Sequence, residues 1–177
     1  MLRIFKTLLL LFFILIAGCK KSYITTTEQE ILFQMDVICY EPDFNHYGYI
    51  IDAKGNILSY NNPEGWHFPN SNLNITSDQI AENINRCKLA GRLPKDEIKK
   101  FSSYIENISS TKLSGLKKQY KEKRTVQYFC YKYSESTLVY KGYIIKTEGN
   151  YAGENLNFYS KKVVSWMKDI YSNQHQL

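Results

Sequence analysis

The segment ILFQMDVIC, residues 31–39, has an apolar side chain at every odd position. Successive side chains of a β-strand point to opposite sides of a sheet, so this period of two predicts a strand with one wholly apolar face. Such a strand needs neighbours for its backbone and a covering layer for its apolar side chains. The odd positions are Ile31, Phe33, Met35, Val37 and Cys39.

Four further segments have the composition of strands and are joined in pairs by short turns. Gly55, which can adopt positive φ, marks the first hairpin turn, in residues 53–56. The polar residues 134–136 mark the second. The strand pairs are 47–52 with 57–60, and 125–133 with 137–146. The segments between the regular elements are predicted to be a turn at 41–45, loops at 61–72 and 148–155, and a charged stretch of unassigned structure at 116–124.

Three segments have the apolar spacing of amphipathic helices. Thr76 and Gln79 form the pattern of a capping box, which predicts a helix start. Its apolar face comprises Ile80, Ile84, Cys87 and Gly91, and Gly91 is predicted to end it. A second helix is predicted to open at Pro94, with a stripe formed by Ile98, Phe101, Ile105 and Ile108 and a break at 109–114. The third covers 158–171, with Tyr159, Val163, Trp166, Met167 and Ile170 facing inward.

The resulting order β-β-β-α-α-β-β-α predicts the α+β class. Hairpins dominate, so we expect a mainly antiparallel sheet of about five strands with the helices packed on one face. Residues 30–172 are predicted to form this single domain, followed by a polar C-terminal tail, residues 173–177.

The N-terminal segment carries an export signal. Arg3 and Lys6 precede an apolar run of ten residues, Leu8 to Ala17. A membrane-spanning helix needs about 20 apolar residues, so this run fits the core of a signal peptide instead. The run leads into Leu15-Ile16-Ala17-Gly18-Cys19, a short series of apolar and small residues ending in cysteine.

This segment resembles the signal peptide and lipobox of bacterial lipoproteins. The resemblance implies cleavage of residues 1–18, attachment of lipid to Cys19, and a lipidated tether at 19–29. It also implies a cell-envelope location, anchored to a membrane through the lipid. Since Lys20 rather than aspartate follows the cysteine, it further implies the outer membrane, facing the periplasm. The alternative is a plain secretory signal in which Cys19 is not lipidated.

Charge and cysteine content restrict the remaining classes. The net charge of +6 falls to +4 when Arg3 and Lys6 leave with the signal peptide. That balance in an exported protein gives no reason to expect nucleic acid as a partner. Besides Cys19 the chain has Cys39, Cys87 and Cys130, an odd number that cannot all pair within one chain. Three buried thiols, or a Cys39–Cys130 disulfide, are the alternatives.

Known catalytic motifs do not occur in the sequence. It has no G-x-S-x-G, H-E-x-x-H or C-x-x-C pattern and no phosphate-binding glycine loop. His46, His67 and Asp43 could meet if the first hairpin folds back, but their spacing does not require a metal. The sequence therefore predicts no catalytic residue, no metal and no cofactor.

Two segments are candidates for binding. Trp66, His67 and Phe68 lie in a loop rich in Pro, Gly and Asn and could stack on a sugar, a peptide or a partner. Alternatively, Trp66 and Phe68 close the sheet edge and cap the core. A basic patch could bind anionic lipid or an acidic partner, or be a solvated face. It comprises Lys117, Lys118, Lys121, Lys123 and Arg124.

The leading hypothesis is a membrane-anchored, non-catalytic binding or structural module of the envelope, whose partner is an envelope protein or glycan. A second hypothesis is an immunity-type or inhibitor lipoprotein that neutralises a toxin or a lytic enzyme in the periplasm. A third is a small envelope enzyme whose site has no recognised motif.

Overall fold

The structure, a computed structural model, describes residues 29–119 and 123–174. The signal peptide and Cys19, the basic-patch residue Lys121 and the last three residues of the predicted tail lie outside the described residues.

The described residues form an α+β fold with a nine-stranded antiparallel sheet, larger than the five strands predicted. The strand order is β5-β3-β2-β1-β7-β8-β9-β6, and β4 pairs with β8. The strands are β1 (Ile31–Cys39), β2 (Asn45–Asp52), β3 (Asn56–Asn61), β4 (Asn74–Thr76), β5 (Lys88–Arg92), β6 (Lys117–Lys118), β7 (Arg124–Ser134), β8 (Val139–Gly149) and β9 (Tyr151–Glu154). The helices are α1 (Ser77–Asn85), α2 (Lys95–Ser102), α3 (Ile105–Ser109) and α4 (Ser160–Gln174).

Strand β1 lies in the interior of the sheet between β2 and β7, and it is buried on both faces. Phe33, Met35 and Val37 face a core that also contains buried residues of α2, α3 and α4. The opposite face carries a second core, into which α1 inserts Ile80. The prediction that all helices pack on one face is therefore wrong, because a second helical layer covers the face that holds the polar residues of β1.

The first two helix predictions are correct at their starts and less accurate at their ends, and the third helix, predicted over 158–171, begins at Ser160 and ends at Gln174. Thr76 and Gln79 form the predicted capping box. However, α1 ends at Asn85 and not at Gly91, because residues 88–92 pair with β3 as the edge strand β5. The predicted second helix is divided into α2 and α3, although its apolar stripe remains buried in one core. Pro94 is the N-cap of α2.

The segment 148–155 was predicted to be a loop and is largely strand. Strand β8 extends to Gly149, and β9 returns antiparallel to it. Gly149 has φ of +99°, which permits the tight reversal between the two strands. Helix α4 then buries Val163, Trp166, Met167 and Ile170, as predicted.

Strand register decides between the two cysteine alternatives. Cys39 lies opposite Arg124, whereas Cys130 lies opposite Phe33, six residues away along β1. That separation is roughly 20 Å, and a disulfide needs Cα atoms within about 7 Å. The Cys39–Cys130 disulfide is therefore wrong, and all three cysteines are free thiols. Only Cys130 is fully buried, since Cys39 and Cys87 are half-buried.

Candidate functional site

A groove lined by cationic side chains lies along β8 and β9, between the segment containing β6 and the first turns of α4. It consists of two neighbouring hollows of about 810 and 460 Å³ that share Lys146 and Glu154 in their walls. We call it the basic groove. Its cationic side chains are Lys117, Arg124, Lys146, Lys161 and Lys168.

The charges in the basic groove do not cancel. Among the residues that the structure describes, two carboxylates, Glu148 and Glu154, line it beside the five cations, a formal excess of three positive charges. Glu148 Oε1 lies 2.6 Å from Lys146 Nζ and 2.8 Å from Lys168 Nζ. Burial acts to raise the pKa of Glu148, but hydrogen bonds from the two lysines outweigh it and hold the pKa below its usual value. Glu148 is therefore ionised and shared between two ammonium groups.

The floor of the basic groove is fixed by backbone contacts around Arg124. The Asn150 N–H donates to the Arg124 carbonyl at 3.0 Å, and the Gln119 N–H donates to the Asn150 carbonyl at 2.7 Å. These bonds tie the segment after β6 to the start of β7. In the groove wall, the hydroxyl of Thr147 is buried and has no hydrogen-bond partner among the described residues. An oxygen-rich ligand in the groove would meet the positive charge of the lining lysines and Arg124.

The basic patch predicted from sequence contributes only part of this groove. Lys117 and Arg124 line it, whereas Lys118 is exposed on β6 and Lys123 forms an ion pair with Glu41, with 3.4 Å between Nζ and Oε2. Sequence reasoning missed Lys146, Lys161 and Lys168, which come from β8 and α4. No local motif marks them, because strand pairing and helix packing alone bring them to the groove.

A second group of functional-type residues is buried on the α1 face of the sheet. Asp36 Oδ1 accepts hydrogen bonds from the Tyr60 hydroxyl and from Gln34 Nε2 at 2.9 Å, and lies 3.1 Å from His46 Nε2. The Tyr131 hydroxyl donates to Gln34 Oε1 at 2.7 Å. These five residues form the buried polar network.

The buried polar network is closed to solvent. Asp36 is 3% exposed and His46 is 1% exposed. Burial and the neighbouring Asp36 raise the pKa of the Tyr60 hydroxyl well above its usual value, so this hydroxyl remains a proton donor. In this arrangement the network satisfies its own polar groups and joins β1, β2, β3 and β7, which stabilises the sheet.

Trp66 covers the buried polar network. Its ring centroid lies 4.2 Å from that of Tyr60 and 5.4 Å from that of His46. The loop is held to α1 by Asn83, which accepts from the His67 N–H at 2.9 Å and donates to the His67 carbonyl at 2.8 Å. The side chain of His67 pairs with Glu82 at 2.7 Å. Trp66 and His67 are thus engaged with the protein itself.

Phe68 differs from its two neighbours because it is 45% exposed. Its ring centroid lies 4.8 Å from that of His46. The His46 ring also neighbours that of Phe44, and Phe44 neighbours Tyr40, so that two more exposed rings lie near the end of β1. We call Tyr40, Phe44 and Phe68 the aromatic patch. Of the three residues predicted as a platform, only Phe68 presents much of its ring to solvent.

The described histidines lie beside carboxylates, and the described cysteines are free thiols. His46 and His67 each pair with one carboxylate, and neither pair includes Asp43. Within residues 29–119 and 123–174, no three His, Cys, Asp or Glu side chains are grouped so as to hold a metal ion. Burial raises the pKa of the Cys87 thiol to about 12, far from the range of a reactive thiolate.

Comparison with known proteins finds no matching family model, and no match among curated proteins or solved structures. Among the helices in the described part of the chain, none is both long and apolar enough to cross a membrane.

Proposed function

We propose that this chain is a lipid-anchored, non-catalytic binding protein of the bacterial cell envelope, and that the basic groove binds an anionic partner. The proposal is supported by five cationic side chains, contributed by β6, β7, β8 and α4, that line one groove. A fixed cluster of one sign attracts ligands of the opposite sign and speeds their encounter. The ligand class is a polymer that carries repeated carboxylate or phosphate groups.

The position of the groove supports a role at a distance from the anchor. The described chain begins at Gln29, whose side-chain amide donates to the Tyr131 carbonyl at one end of β1. Arg124 in the groove lies opposite Cys39 at the other end. The intervening strand spans roughly 27 Å. The predicted tether at residues 19–29 therefore joins the domain roughly one strand length from the groove, and Lys20 favours the outer membrane as its attachment point.

The lipid anchor is tested by Cys19→Ser. We expect the variant to take up no lipid and to remain unprocessed by the lipoprotein-specific peptidase, because the acyl acceptor is the cysteine thiol. Cells are grown with a clickable palmitate analogue, and the protein is examined by gel fluorescence. Cys39→Ser is the matched control and should label like wild type. Label on the Cys19→Ser band would contradict lipidation at this residue.

The basic groove is tested by removing three of its charges. The Lys117→Gln, Lys161→Gln and Lys168→Gln triple variant should bind a polyanion about tenfold more weakly, since exposed charge pairs each contribute about 0.5 kcal/mol. Its binding should also depend less on salt. Full-length lipidated protein in detergent micelles is titrated into fluorescein-labelled polyphosphate or poly-L-glutamate, and anisotropy is measured. Comparing the two polymers shows whether phosphate or carboxylate is preferred.

A control variant loses the same charge elsewhere. Lys54, Lys95 and Lys99 are exposed and do not line the basic groove, so their replacement by glutamine should leave binding within about twofold. Equal weakening by both triple variants would reveal attraction to overall charge only and would contradict the groove as the site.

The aromatic patch supports a second candidate function, an inhibitor-type lipoprotein that binds a protein. Aromatic side chains are enriched in protein interfaces, and Tyr40 and Phe44 are 61% and 58% exposed. Capture of a partner from envelope extracts by the lipidated protein separates the two candidates. If the second holds, Phe44→Ser abolishes capture while the triple lysine variant retains it.

A further inference from the structure

A second groove, with none of the lining residues of the basic groove, is formed by β2, β3, β5 and the end of α4. Its volume is about 590 Å³, within the range of pockets for small ligands. The polar side chains that line it come from β2, β3, β5, α4 and the residue after α1. We call it the tyrosine groove, and its polar lining includes Asn45, Tyr47, Asn61, Arg86, Lys88 and Tyr171.

The tyrosine groove combines flat rings with groups that hydrogen-bond. The hydroxyls of Tyr47 and Tyr171 share a hydrogen bond, and burial with this contact raises the pKa of Tyr171. Both rings are only half-buried, so they offer ring surface together with a hydroxyl group. Ser59 and Asn61 add a hydroxyl and an amide from β3. Such a mixture suits a ligand that has hydroxyl groups around a compact ring.

One polar atom in the wall of the tyrosine groove is left unsatisfied. Asn45 Oδ1 is buried and has no hydrogen-bond partner among the described residues. A buried acceptor without a donor has lost its hydrogen bonds to water and gained none in exchange. The neighbouring His46 N–H is already bonded, to Asn62 Oδ1 at 2.6 Å. Rotation of the Asn45 amide would bring this acceptor to the groove surface, where a ligand hydroxyl is the kind of donor that would satisfy it.

The two charged residues that line the tyrosine groove, Arg86 and Lys88, are both cations. Arg86 is fixed in position because Nε donates to the Glu64 carbonyl at 2.8 Å and Nη1 to the Glu82 carbonyl at 2.6 Å. Glu82 also lies 3.6 Å from Arg86 Nη2 and balances part of its charge. Lys88 is exposed and forms no ion pair with a carboxylate of the described chain. No carboxylate lines the groove, so Lys88 supplies an uncompensated positive charge at its edge.

We infer that the tyrosine groove binds a sugar acid, a hydroxyl-rich ring that carries one carboxylate. The ring lies against Tyr47 and Tyr171, its hydroxyls bond to the asparagine and serine side chains, and its carboxylate pairs with Lys88. This site shares no lining residue with the basic groove, although Lys168 of that groove precedes Tyr171 by one turn of α4.

The test uses three ligands that distinguish the contribution of the sugar ring to binding from that of the carboxylate. Full-length lipidated protein in detergent is titrated calorimetrically with D-glucuronate, D-glucose and acetate. Glucuronate differs from glucose only by its carboxylate, and acetate has the carboxylate without the ring. We expect glucuronate to bind about threefold more tightly than glucose, the effect of one exposed charge pair, and at least tenfold more tightly than acetate. Acetate binding as tightly as glucuronate, or no heat from glucuronate at 20-fold molar excess over about 1 mM protein, would overturn the inference.

Variants then assign the contacts. Lys88→Gln should remove the preference for glucuronate over glucose, and Asn61→Ala should weaken both sugars about fivefold. The basic-groove triple variant should bind glucuronate like wild type, which keeps this result separate from that of the polyanion experiment. Unchanged glucuronate binding in both Lys88→Gln and Asn61→Ala, with wild-type circular dichroism spectra, would place the sugar elsewhere and refute the site.

Discussion

Gly48→Ala should lower the free energy of unfolding by about 3 kcal/mol or more. Gly48 lies on β2 opposite Asp36 of β1. A Cβ atom added there would lie 1.9 Å from the Met35 carbonyl oxygen and 2.7 Å from the Tyr60 hydroxyl. The first contact is with backbone in the middle of the sheet, so no side-chain rotation can relieve it. The strands β1 and β2 must separate, and the buried polar network must open with them.

Gly115→Ala is the matched control for this measurement, because an added Cβ at that position would have no atom within 4 Å. Urea unfolding of the fragment from Lys20 to Leu177, followed by circular dichroism, gives both values. We expect Gly115→Ala to change stability by less than about 0.5 kcal/mol. Similar stabilities for the two variants would show that β1 and β2 do not approach as closely as described.

The sequence predicted the elements whose signal is local. The alternation in residues 31–39 identified β1, and the Thr76–Gln79 capping box identified the start of α1. The apolar spacing of residues 158–171 identified the buried face of α4. In each case the information lies within a few residues and matches one period of regular structure.

The sequence did not predict elements that depend on distant partners. Residues 88–92 continue a helical apolar spacing, yet pairing with β3 makes them a strand. Residues 151–154 contain an alanine and a glycine and lie in a stretch typical of a loop, but they pair with β8. Such tertiary contacts override local preference, because strand formation depends on the neighbouring strands.

The candidate sites likewise combine residues that a local sequence pattern predicts with residues that only tertiary contacts bring together. A local run of charge predicted Lys117 and Arg124 for the basic groove, but Lys161 and Lys168 belong to a helix that was assigned only a structural role. The buried polar network has no sequence signal. Gln34 and Asp36 occupy the even positions of β1, which alternation assigns to solvent, and only Tyr60, Tyr131 and the Trp66 loop explain their burial.

Trp66→Ala should lower the free energy of unfolding by roughly 3 kcal/mol, at the low end of the values for large aromatic side chains because Trp66 is only half-buried. The substitution removes the ring that stacks on Tyr60 and covers His46, which would admit water to the buried polar network. The same Lys20–Leu177 fragment and urea titration provide the measurement.

Phe68→Ala is the informative comparison, because it removes the neighbouring aromatic ring that is 45% exposed. We expect a loss within about 1 kcal/mol for this variant. The contrast separates the two interpretations of the loop, since a ring that closes the core contributes to stability and a ring that binds a partner need not. If Trp66→Ala is as stable as wild type, the indole does not seal the network. If that variant also no longer captures an envelope partner, the loop itself is the binding surface.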